Sequence, residues 1–135
     1  FFKTHDLQRE RIDLARQLDQ LGPAMEKSLS AIMEGAHRDG NGDAAFLAGE
    51  ALRNTLLTRL YANKFLDSHG VAEAERADQE ATAAQGNFEK LIATLSNAEG
   101  NTRVQALITD LRQYQAAFDK LVDVVTVFLR KEGLD

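Results

Sequence analysis

Residues 39–50, DGNGDAAFLAGE, place oxygen-bearing side chains at the spacing of a calcium loop: Asp39, Asn41 and Asp43, then Glu50 at the twelfth position. The sixth position, where such loops need glycine for a sharp turn, is Ala44. Asp43-Ala44-Ala45-Phe46-Leu47-Ala48 also reads as a capped helix start, which turns Glu50 away from Asp39. No second such loop follows, so the segment reads as a turn plus a helix cap. A paired-metal centre in a helical bundle takes a Glu-x-x-His motif from each of two helices. Glu34-Gly35-Ala36-His37 supplies one, whereas His5 and His69 have no glutamate three residues before them. Neither histidine near a helix end, His37 or His69, sits where phosphotransfer needs it. No Ser-His-Asp grouping or phosphate-cradling glycine loop appears. The residues argue for no metal, no cofactor and no enzyme.

More informative is charge inside an apolar stripe. Leu52, Leu56, Arg59, Asn63 and Leu66 share one helical face by three-four spacing, with an arginine and an amide where leucines are expected. A guanidinium there must snorkel, pair with an acid, or meet an anionic ligand. Arginine suits a carboxylate, because its planar fork makes two parallel hydrogen bonds. Arg11, between Leu7 and Leu14, is a similar case, and Tyr114 and Gln115 offer a hydroxyl and an amide from another helix. The alternative for each is an ion pair with one of the 21 acids of the chain, or a solvated helix edge.

The positioning elements are helical. Leu7, Leu14, Leu18, Leu21, Met25, Leu29, Ile32 and Ala36 keep one phase. So do Ala77, Ala81, Ala84, Phe88, Leu91 and Leu95, and, from Val104 through Tyr114 and Phe118 to Phe128, the last segment. No window alternates with a strand's period. Breaks at Asp39–Gly42, His69-Gly70 and Asn97–Asn101 leave four helices, about 3–38, 43–68, 71–97 and 101–132. Asp43 is the expected cap of the second, Gly70 the left-handed stop after it, and Asn101 or Thr102 the cap of the fourth. Short connections predict an all-α, antiparallel up-down-up-down four-helix bundle spanning residues 1–135 as one module. Pro23 falls inside the first helix without changing the phase of the stripe, which predicts a kink at Gly22-Pro23. The first and last helices, roughly 50 Å against roughly 40 Å for the inner pair, should overhang at one end.

At 135 residues, with 44% hydrophobic and 27% charged side chains, the chain is one domain's worth of globular protein. A net charge of −5, with no long basic run, makes nucleic acid and anionic membrane poor partners. There is no cysteine, hence no disulfide or thiolate site. No stretch approaches the roughly 20 apolar residues of a membrane span. The start at Phe1-Phe2-Lys3, without an initiator Met, suggests a segment of a longer protein.

The stretch LRNTLLTRLYANKFL, 52–66, together with Leu21-Gly22-Pro23, Ala31-Ile32-Met33, the Asp39–Asp43 turn, Ala45-Phe46 and Ala48-Gly49, resembles the helical bimodular sensor domain of bacterial chemoreceptors and sensor kinases. The resemblance covers about the first half of the chain, and its most specific part is Arg59-Leu60-Tyr61-Ala62-Asn63-Lys64-Phe65-Leu66. It implies an extracytoplasmic, all-helical module of a receptor for small organic acids. The length of this chain fits one of the family's two stacked bundles. The expectation is thus the periplasmic part of an inner-membrane receptor, a homodimer, with a small carboxylate held by Arg59 and assisted by Asn63, Tyr114 or Arg53. The rival expectation is a structural bundle that docks a partner, such as a periplasmic binding protein, with no small-molecule site of its own.

Overall fold

A computed structural model describes residues 4–133. Four helices account for nearly all of them: α1 Thr4–Arg38, α2 Gly42–Ser68, α3 Val71–Thr94 and α4 Ala98–Lys131. Among the described residues there is no strand. Packing joins α1 to α2, α2 to α3, α3 to α4 and α4 back to α1, the closed square of a four-helix bundle. The pairs across each seam set the directions. Along α2 and α3, Asn41 meets Thr94, Asn54 meets Asn87, and Tyr61 meets Arg76, so numbers rise on one helix as they fall on the other. Met33 lies against Gly49 and Glu26 against Arg59 in the same sense along α1 and α2. The early part of α1 reaches the late part of α4 through Glu10–Lys120 and through Arg11 over the Phe128 ring. The start of helix one expected at about residue 3 lies outside the described residues.

α1 runs unbroken through Pro23. Proline removes the hydrogen bond to the carbonyl four residues back, that of Asp19, but Asp19, Pro23 and Ala24 all face solvent, where water replaces it. Before a proline, helical backbone angles force a Cβ against the ring. Gly22 has no Cβ, so the helix survives.

The helix ends differ from those expected, each for a local reason. Asn41, not Asp43, caps α2: its side-chain oxygen accepts from the Ala44 N–H at 3.1 Å, while its amide donates to the Thr94 carbonyl at 3.3 Å and ties the turn to the end of α3. Asn97 caps α4 by accepting from the Gly100 N–H, which starts that helix three residues early and leaves α3 ending at Thr94. After α2 the left-handed residue is His69, φ 56°, not Gly70. The His69 N–H closes on the Phe65 carbonyl at 2.7 Å, and the two rings meet edge to face, 6.3 Å between centroids.

The apolar stripes predicted for α1, α3 and α4 face the core, from Leu7 to Ala36, Ala77 to Leu91 and Val104 to Val125. α2 is the correction. Its buried residues are Ala44, Ala48, Ala51, Thr55, Thr58, Ala62 and Phe65, at strict four-three spacing, with Asn54 beside them. The leucine stripe is turned outward: Leu56 and Leu60 are 47% and 45% exposed, Asn63 is exposed, and Leu52 and Leu66 are half-buried. The partner explains it. α3 presents Ala74, Ala77, Ala81 and Ala84, so small faces small and the two helices pack closely. Large side chains of α1 and α4 already fill the rest of the interior. Thr55 and Thr58 satisfy their hydroxyls on the Ala51 and Asn54 carbonyls of their own helix, at 2.9 and 2.8 Å.

Overpacking this seam should be felt at once. Ala48→Leu is expected to destabilise by about 1–3 kcal/mol, whereas Leu56→Gln on the outer face should stay within about 0.5 kcal/mol. Urea unfolding of both variants checks this, and a larger loss for Leu56→Gln would reverse the assignment of faces.

Candidate functional site

Where α1, α2 and α4 converge, Arg59 forms an ion pair with Glu26. Both side chains are partly withdrawn from water, 26% and 22% exposed, so their attraction is screened less than a surface pair's. Gly22 creates the room. A Cβ there would collide with the Arg59 side chain, so the glycine that admits Pro23 also lets the guanidinium lie across α1. Of the outcomes the sequence left open for this arginine, the structure shows pairing with an acid of the same chain, one turn beyond Gly22.

Tyr114 approaches from α4 and is buried, at 2% exposure. Burial pushes its phenol well above the ordinary tyrosine range, against the lowering charge of Arg59, with Asp19 and Glu26 adding to the rise. It stays a neutral hydroxyl at any working pH. Glu26, Arg59 and Tyr114 therefore put one anion, one fork-shaped cation and one phenol on three helices. The guanidinium can hold a carboxylate, and here the carboxylate is Glu26.

The other two candidate residues, Arg53 and Asn63, are exposed on α2, with Asn63 one turn along the helix from Arg59. Gln115 is half-buried on α4, and Arg11 lays its guanidinium 5.9 Å from the Phe128 ring centroid, a cation–π contact near the free end of α1. In the turn, Asn41 is consumed by capping, Asp39 and Asp43 are exposed, and Glu50 lies well along α2. Glu34 and His37 are both exposed on the last turns of α1. Among the described residues no three acidic or histidine side chains gather as a metal site.

A polar ladder across α2 and α3 was not visible in the sequence. The Asn87 amide donates to the Asn54 carbonyl oxygen at 2.8 Å, and the Asn54 amide donates to Glu80 at 3.0 Å. Arg76 donates to Glu80 at 2.9 Å and to the Tyr61 hydroxyl at 3.3 Å, with its guanidinium 4.6 Å from the Tyr61 ring centroid. Burial would raise the Glu80 carboxyl, but hydrogen bonds from Asn54 and Arg76 and the charges of Arg76 and Arg53 outweigh it and hold it below the usual range. The trace of this ladder in sequence is Arg76-x-x-x-Glu80, an ordinary helical pair; the cross-helix partners depend on register.

No family model, no curated protein and no solved structure matches this chain.

The ladder yields a signed pH test. Glu80 titrates lower when folded, so its contribution is present above the ordinary glutamate range and is lost as pH falls through the folded value. Asn54→Asp replaces the donor with a second carboxylate and should cost about 2 kcal/mol at pH 7. The gap to wild type should narrow toward pH 4, as one of the two acids takes a proton. Urea unfolding at both pH values measures it, and a gap that does not change would mean Asn54 and Glu80 are not in contact.

Proposed function

We propose that this bundle is the extracytoplasmic sensor module of a transmembrane chemoreceptor, that it takes a small organic acid at Arg59, and that the acid acts by displacing Glu26. The observation that carries this reading is the Arg59–Glu26 pair itself, a guanidinium with a carboxylate already seated on it, on the seam between α1 and α2. A ligand carboxylate repeats the chemistry of Glu26 but not its covalent tie to α1. Exchange therefore releases one helix from the other, and Tyr114 offers the incoming acid a neutral donor. A ligand shifts such an equilibrium only by binding one arrangement better, which the exchange supplies. Movements of about 1–2 Å are the scale of such helix shifts. α1 and α4 are the helices that run on past the α2–α3 turn and would carry the movement toward the membrane. Competition with a tethered carboxylate predicts weak binding, Kd on the order of 0.1–1 mM. The resemblance in the first half of the chain supports this class, a receptor acting as a homodimer in the inner membrane.

One observation favours a second reading, a bundle that docks a partner such as a periplasmic binding protein and has no small-molecule site. The outer face of α2 exposes Phe46, Leu56 and Leu60, at 66%, 47% and 45%, more large apolar side chain than one helix face of a solitary bundle needs to show.

A thermal-shift screen of mono-, di- and tricarboxylates separates the two. At least one acid is expected to raise the melting temperature of the wild type. Glu26→Gln, whose neutral amide competes less well, should bind that acid several-fold more tightly, and Arg59→Ala should lose the response. No shift with any carboxylate, in wild type or in Glu26→Gln, would remove the ligand site and leave the docking reading.

A further inference from the structure

The seam between α1 and α2 carries more negative charge than Arg59 balances. The guanidinium lies over Gly22, and Glu26 closes on it from one turn further along α1. Asp19 stands one turn to the other side of Gly22. Residues 19, 22 and 26, at three-four spacing, share one face of α1. Register sets what Asp19 meets. Met33 lies against Gly49, and Asp19 and Asn63 are both fourteen residues from that contact, in opposite senses along antiparallel helices. They therefore face each other across the seam beside Arg59. Tyr114 closes the group from α4. It is buried, no hydrogen bond engages its hydroxyl among the described residues, and it feels the charges of Arg59, Asp19 and Glu26 alike.

The neighbouring cations point elsewhere. Arg16 pairs with Asp13, Lys120 with Glu10, and Lys64 lies over the Tyr61 ring. Lys27 is exposed, turned about 100° from Glu26 by the helix. One guanidinium thus faces two carboxylates, and Asp19 has no ion-pair partner among the described residues. When a ligand carboxylate takes Arg59, both Glu26 and Asp19 are left beside it. Glu26 is partly withdrawn from water, so solvent only partly repairs the loss of its partner. A second carboxylate on the ligand would add like charge, whereas an ammonium would remove it.

We infer, resting on the carboxylate site proposed at Arg59, that its ligand is a zwitterion, an acid with an amino group on the neighbouring carbon. Its carboxylate takes the fork of Arg59, with the Asn63 amide donating to it, and its ammonium meets Glu26 and Asp19. Tyr114, a neutral phenol, donates to the carboxylate or accepts from the ammonium. The ligand then stands between Arg59 and Glu26, which otherwise meet directly, so α1 is spaced from α2 rather than only released. A di- or tricarboxylate without an amine leaves both acids of α1 unpaired, and the site discriminates against it.

The common α-amino acids, each set against the acid that lacks only its amino group (alanine against propionate, glutamate against glutarate), test the class by calorimetric titration. For the pair that binds most tightly, the amine-bearing member is expected to hold an advantage of about five-fold or more, the effect of one partly screened ion pair. Asp19→Asn, a change at an exposed position, should reduce that advantage. Glu26→Gln should reduce it further, because it also favours the amine-free acid. Amine-free acids that bind as tightly as their amino counterparts would overturn the zwitterion and leave the Arg59 site in place. An advantage unchanged in both variants would overturn it as well, since the ammonium would then lie elsewhere. Binding of no member of any pair, to wild type or to Glu26→Gln, would remove the zwitterion together with the site beneath it.

Discussion

The close approach of α2 and α3 governs the rest of the bundle. Alanines and threonines on one helix meet alanines on the other, and the backbones come together because nothing larger stands between them. Once α2 is committed to that face, its leucines have nowhere inside to go. Burying a leucine is worth about 1.5–3 kcal/mol, so leaving Leu56 and Leu60 half in water forgoes a real gain. Packing decides against it: α1 and α4 fill the interior with Leu, Val and Phe, and a second layer of leucines would have to force the helices apart. The same rotation sends Arg59 toward α1, where Gly22 leaves space, and sets Asn54 opposite Glu80 and Asn87.

The seams therefore differ in kind. α2 and α3 are held by small side chains and a ladder of five polar residues, α1 and α2 by an ion pair over a glycine, and α3 and α4 by the large apolar side chains of the core. Two of them contain a contact that a change of medium can alter: another carboxylate can replace Glu26 on Arg59, and a proton can take Glu80 out of the ladder. On the sensing role proposed for this chain, α2 and α3 would move as one body while α1 and α4 report.

The stripes of α1, α3 and α4 were legible in sequence because each contains one apolar series at helical spacing. α2 contains two. Leu52, Leu56 and Leu66 mark one, and Ala44, Ala48, Ala51, Thr55, Thr58, Ala62 and Phe65 mark the other. Hydrophobicity weights the first and volume the second, and only the knowledge that α3 opposes with alanine decides between them. That Arg59 would snorkel, pair with an acid or meet an anion was readable from its position; that it pairs with Glu26 was not, since any of 21 acids qualified. The caps slipped for a related reason: Asn41 and Asp43, or Asn97 and Asn101, are chemically equivalent candidates, and the tie from Asn41 to Thr94 that selects one is a contact 53 residues away.

The face that α2 buries is open to direct measurement in a chain without cysteine. Single substitutions along α2 can be timed for maleimide reaction under native conditions. Leu56→Cys, Leu60→Cys and Asn63→Cys should react at the rate of an exposed thiol, and Thr55→Cys, Thr58→Cys and Ala62→Cys only as fast as the protein unfolds. Rapid reaction at 55, 58 and 62 with protection at 56, 60 and 63 would mean that the leucines are inside and that α2 and α3 do not meet through their small residues.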